Sequence, residues 1–184
     1  MTIWYTARNL FNKSFEGSNK YIEFSGLKQT EEIVSLDCSL NDPVFLFDSD
    51  NQDDWKFGIT TENEFFTDCY SSLDYVKTRA RDVREYNLLA VCFQPTAPYN
   101  EVDLDDFTFI GYDLLDQSHG NSVLTNCVGS PNVFTNIELN KFGLIDIFDS
   151  AIQTKEALFA KNPNEFHSNT NVWAIWRHNT IGRK

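Results

Sequence analysis

The spacing of apolar positions changes along the chain, and with it the kind of element it predicts. Four short runs rich in β-branched or aromatic residues, at 21–24, 33–36, 44–47 and 55–59, are separated by polar turns and predict a meander or hairpin array. The segment between the last two runs, 48–54, contains Asp48, Asp50, Asn51, Asp53 and Asp54, residues that favour turns and would repel one another in register. Beyond it the period lengthens. Cys69, Leu73, Val76, Ala80 and Val83 recur at steps of four, three, four and three, which predicts an amphipathic helix over 71–86. Ser71 followed by Asp74 resembles a capping box, and Lys77, Arg81 and Arg84 form a row on the polar face.

Residues 88–93 are apolar at every position, as in a strand buried on both faces at the centre of a sheet. After a proline-containing loop, 107–112 predict another strand, and 116–136 form a long Asn/Gly/Ser-rich stretch without a period. Leu144, Phe148, Ala151 and Leu158 share one face of a helix predicted over 144–161, which Pro163 follows, and 172–176 predict a last buried strand. Strands, helix, strands, helix, strand is the order of an α+β fold: a single domain, 1–184, with a mostly antiparallel sheet and two main helices packed on it.

Composition supports folding without a partner. A chain of 184 residues with 41% hydrophobic and 15% aromatic residues can bury its own core. The net charge of −12 disfavours direct binding to nucleic acid and to anionic membrane surfaces, while it speeds encounter with a basic partner. No stretch approaches the length of a membrane span and no secretory pattern opens the sequence, so a cytoplasmic location is expected. Cys38, Cys69, Cys92 and Cys127 contain no C-x-x-C pair and lie in or beside apolar runs, which reads them as reduced core residues.

Candidate chemistry is sparse. The 48–54 turn starts like a calcium loop, but Asp53 stands where a glycine is needed and Ile59 where a bidentate carboxylate is needed. His167 and His178 lack zinc-ligand spacing, and no phosphate-cradling glycine motif is present. Neither a metal nor a cofactor is expected, and no motif resembles that of a named family. What remains are two carboxylate clusters on predicted loops: Asp48, Asp50, Asp53 and Asp54, then Glu101, Asp103, Asp105 and Asp106. The reading that follows is a small acidic binding protein of the immunity or inhibitor type, whose carboxylates occupy a basic site on a protein partner such as a toxin or nuclease, with nucleic-acid mimicry as one version. The alternative is an enzyme or small-ligand binder with Cys127 and His119 as its reactive pair in the 116–136 loop, Asp113 and Asp116 lying just upstream. Association of identical chains stays open.

Overall fold

The computed structural model describes residues 2–27, 29–60, 65–99, 102, 104–117, 119–128, 138–161, 163–164 and 168–180, without the side chains of Glu31, Thr60, Phe65, Phe66, Thr67, Asn126, Cys127 and Val128. Its strands are β1 (Trp4–Asn9), β2 (Gly58–Thr60), β3 (Phe65–Tyr70), β4 (Tyr86–Phe93), β5 (Phe107–Leu115) and β6 (Asn171–His178). They form a six-stranded sheet in the order β2-β3-β1-β4-β6-β5, and every pairing is antiparallel. The helices are α1 (Ser18–Ser25), α2 (Gln52–Phe57), α3 (Leu73–Arg79) and α4 (Phe148–Lys161), with a 3₁₀ turn at Val123–Val128. This is the expected α+β architecture. No helix among the described residues is long and apolar enough to cross a membrane.

β4 is interior, as its uninterrupted apolar run predicts, and its alternation sorts the core. Leu88, Ala90 and Cys92 join Val76 and Ala80 of the α3 region, Ala151 and Leu158 of α4, and Tyr112, Leu114 and Trp176 of the neighbouring strands. Leu89 and Val91 face the other way, onto Val34, Leu36, Trp173 and Ile175.

That second face is covered by a strap, residues 33–41, that ends in a turn at 38–40 and is held by side chains and by backbone bonds, among them Val34 N to the Phe142 carbonyl and Cys38 N to the Gly120 carbonyl, both 2.9 Å. Asp113 is fully buried on β5 and accepts hydrogen bonds from Ser35 Oγ (3.1 Å), Leu36 N (2.9 Å), Leu114 N (2.9 Å) and Ser122 Oγ. Asp37 accepts from Ser39 N (2.7 Å), Ser122 N (3.0 Å) and Thr125 Oγ1 (2.9 Å), which ties the strap to the 3₁₀ turn. Asn41 accepts from Ser35 N (2.9 Å) and donates to the Asn9 carbonyl (3.1 Å). Arg8, buried on β1, pairs with Asp68 and donates to the Asn41 carbonyl (3.2 Å).

Several predicted elements are replaced. Residues 21–24 belong to α1, which turns Tyr21 inward against Phe11, Ile33 and Leu40 and stops at Gly26, where φ is +66°. Residues 33–36 are the strap, and 44–47 form no strand. Of 55–59, the first three residues close α2 and only Gly58 and Ile59 enter β2. β1, by contrast, was not among the predicted strands. The predicted 71–86 helix is α3 alone, capped by Ser72, whose hydroxyl accepts from Tyr75 N (3.2 Å); Ser71 instead donates to the Phe57 carbonyl (3.1 Å). α4 starts later than predicted because Ile145 exchanges both backbone hydrogen bonds with Tyr112, at 2.8 and 3.0 Å. That pairing needs Gly111, at φ +138°, since a Cβ there would lie 2.7 Å from Leu144 Cβ.

Candidate partner-binding surface

The acidic segment 48–54 is an ordered turn leading into a short helix. Asn51 caps α2, its side-chain oxygen accepting from Asp53 N (3.0 Å), while Asp53 and Asp54 in the first turn and Lys56 in the last suit the helix dipole. Asp48 accepts from Asp50 N (3.0 Å), which closes the turn before the cap.

Asp54 does not belong with the exposed carboxylates. It is fully buried, pairs with Arg79, and accepts from Tyr75 OH, Asn51 Nδ2 (3.2 Å) and Asp48 N (2.6 Å). Arg79 also lies 4.7 Å from the centroid of the Phe45 ring and donates to the Leu46 carbonyl (3.4 Å). One buried carboxylate thus fastens the segment to α3 and to the preceding loop, a charged pair satisfied by several hydrogen bonds. The row of Lys77, Arg81 and Arg84 expected on the predicted helix is not formed, because α3 ends at Arg79 and Arg81 beyond it makes an exposed pair with Asp82 at 3.4 Å.

What faces solvent above this brace is both acidic and apolar. Asp48, Asp50 and Asp53 are exposed, and beside them in the chain are Leu46, 60% exposed, and Trp55, 62% exposed. The indole is fixed in place, since Trp55 Nε1 donates to the Ser49 carbonyl (2.9 Å) and its ring stands perpendicular to Phe47 with centroids 4.8 Å apart. Leu46 and Trp55 were absent from the sequence-based site. The sequence carries little sign of them, since Trp55, Phe57 and Ile59 alternate as in a strand with one buried face.

The second carboxylate cluster does not join the first. Asp105 and Asp106 are exposed corners of a tight turn in which Phe107 N bonds the Leu104 carbonyl (2.8 Å), and Asp106 takes the left-handed φ of +62° that Asp tolerates. This turn feeds β5, at one edge of the sheet, whereas α2 feeds β2 at the other, with β3, β1, β4 and β6 between. Glu101 and Asp103 lie outside the described residues.

The Cys127 and His119 pair is only partly visible. Cys127 falls in the 3₁₀ turn, but its side chain lies outside the described residues, as do 129–137. His119, at φ +54°, packs edge-on against Phe93 and Trp173, with centroids 5.5 and 5.8 Å away. Asp113, an acid available to such a pair in sequence, is taken up by the strap. Cys69 and Cys92 are buried as expected and their thiols are pushed up by burial, whereas Cys38 is exposed and accepts from Arg8 at 3.7 Å. Among the described residues no three His, Cys, Asp or Glu side chains come together as metal ligands. His178 is buried beside Phe107, and that burial, with Lys77 nearby and Asp106 opposing, lowers its pKa; His167 is outside the described residues.

Comparison of the chain with protein-family models, with curated proteins and with solved structures finds no match to any of them.

Proposed function

We propose that this chain is a binding module that holds a basic protein partner through the surface at 46–55, in the manner of an immunity or inhibitor protein. The observation that carries the reading is a large exposed indole, locked in one orientation, next to three exposed carboxylates on a braced turn. Interfaces concentrate their energy in a few rigid aromatic anchors surrounded by a polar rim, and Trp is prominent among them. Here the rim is Asp48, Asp50 and Asp53, so the complementary surface is cationic, and the net charge of −12 adds long-range attraction. Preorganisation lowers the entropy lost on docking, because the turn is already fixed by Asn51, Asp54 and Arg79. The second cluster is not required, and a cytoplasmic setting belongs to the same reading.

The test is quantitative affinity capture with three immobilised forms of the chain: wild type, Trp55→Ser, and the triple change Asp48→Asn, Asp50→Asn, Asp53→Asn. A partner retained by wild type is expected to be basic, to elute as salt rises, and to be lost by both variants. Equal retention of the same proteins by all three forms would remove this surface from consideration.

A further inference from the structure

On the strap side of the sheet a second concave region lies beneath the turn at 140–143. Asn140 builds that turn: its side-chain oxygen accepts from Phe142 N (2.9 Å) and Leu144 N (3.2 Å), and its amide donates to the Ile110 carbonyl (2.8 Å) and to Asp146 Oδ1 (2.6 Å). One hollow, of about 190 Å³, is lined by Glu32, Thr108, Lys141, Phe142, Arg177 and Asn179 among others. Its neighbour, of about 380 Å³, shares Lys141 and Phe142 and adds Phe109, Asn140 and Asp146. The two hollows share Ile110, Lys141 and Phe142 and so make one trough, with Arg177 and Glu32 in one part and Phe109 and Asp146 in the other.

We propose that this trough binds a small molecule with an anionic head, a carboxylate or a phosphate monoester, carried on a planar ring. Two of the chain's few cations meet here around one ring, Lys141 Nζ at 4.9 Å and the Arg177 guanidinium at 5.7 Å from the Phe142 centroid. Arg177 is nearly buried and keeps contacts of its own within the fold, which hold it in place. Its planar fork of donors suits a carboxylate or phosphate, and its charge acts in a medium less polar than water. Lys141 is paired with Glu32 at 3.3 Å, but both side chains are partly exposed. A pair of that kind contributes little, so an incoming anion can displace Glu32. Phe109 and Phe142 offer apolar surface to the ring, and Asp146 at the far end rejects a second negative charge. The larger hollow, at about 380 Å³, is at the lower end of the roughly 300–1,000 Å³ of pockets that hold small molecules.

The experiment titrates the intact chain with phenyl phosphate, benzoate, inorganic phosphate and phenol, following the backbone amide signals of Thr108, Lys141 and Asn179 by NMR. Phenyl phosphate or benzoate is expected to shift these signals saturably, with inorganic phosphate weaker and phenol inert; the tighter of the two ring compounds identifies the head as phosphate or carboxylate. Lys141→Met should raise Kd about tenfold, the loss of one charge-assisted hydrogen bond. Glu32→Gln should lower it about threefold by releasing Lys141. Signal changes that do not saturate, that spread over the surface, or that are unchanged in both variants overturn the proposal. The 46–55 surface is untouched by either result.

Discussion

The two faces of the sheet are closed by different chemistry. Toward α3 and α4 the contacts are apolar: Val76, Ala80, Ala151 and Leu158 against Leu88, Ala90, Tyr112 and Trp176. Toward the strap, Val34 and Leu36 supply some apolar cover, but the strap's backbone is fixed by the carboxylates of Asp113 and Asp37, by Asn41 and by Arg8. Apolar packing is non-directional and its loss is graded with the volume removed. A buried polar network is directional, and deleting one member leaves its partners unpaired in a medium where that is expensive. The helix face should therefore yield gradually to mutation and the strap face abruptly.

The largest effect expected is from Asp113→Ala. The hydroxyls of Ser35 and Ser122 can turn elsewhere, but the N–H groups of Leu36 and Leu114 cannot, and two orphaned buried donors together with the lost contacts cost about 4 kcal/mol. Urea unfolding should show this, with amide exchange rising along 33–41 before it rises in α4. Leu158→Ala on the other face should cost about 3 kcal/mol, with no preferential opening of either layer. The contrast collapses if Asp113→Ala lowers stability by no more than an ordinary surface change, about 0.5 kcal/mol.

A smaller effect separates the faces by pH. Burial raises the Asp113 pKa above its ordinary 3.8, against the hydrogen bonds that favour the carboxylate. The folded state then holds this proton more tightly than the unfolded chain does. The proton-linked part of the Asp113 contribution is therefore fully present below about 3.8, where the unfolded chain is protonated too, and is lost as pH rises through the higher folded pKa, while the hydrogen bonds to the carboxylate remain. Wild type should gain on Asp113→Ala as pH falls from neutral toward that range, by at most about 1.4 kcal/mol per pH unit between the unfolded and folded pKa. Leu158→Ala should keep a constant gap from wild type. Thermal unfolding of all three proteins across that window decides the matter, and a gap for Asp113→Ala that stays flat or narrows on acidification contradicts the assignment.

The same contrast explains what could be read from the sequence. β4 and β6 are continuous apolar runs, and α4 and the core of α3 repeat against an apolar layer, so their signals are written locally. The strap is different. Residues 33–36 are as apolar as a strand, yet Leu36 N finds its acceptor on Asp113, and Val34 N finds the carbonyl of Phe142 (2.9 Å). No local pattern encodes a backbone satisfied by residues so distant in the chain. Residues 21–24 misled for a related reason: Tyr, Ile and Phe favour strands as a class, but burial of Tyr21 against Phe11 and Leu40 decides for helix, and Gly26 was the available stop signal. The acidic site was half legible. Composition located the 48–54 turn, but it could not separate Asp54, which braces the turn from inside, from Asp48, Asp50 and Asp53, which face outward.

That separation between bracing and outward-facing residues gives the smallest expected effect on stability and the one most informative about function. Trp55 is large and apolar, and a buried residue of its kind costs about 3–5 kcal/mol to remove. Its ring is mostly in water, resting on Phe47 and tied by one hydrogen bond to Ser49, so Trp55→Ser should change the free energy of unfolding, followed by circular dichroism, by only about 0.5 kcal/mol. Asn51→Ala, which removes the cap beneath it, should cost about 1 kcal/mol, slightly more although the residue is smaller. A change that small would accord with the proposed role of the exposed indole in partner contact. If Trp55→Ser instead costs more than about 2 kcal/mol, the ring is part of the fold, and the 46–55 surface loses the anchor on which partner binding was argued.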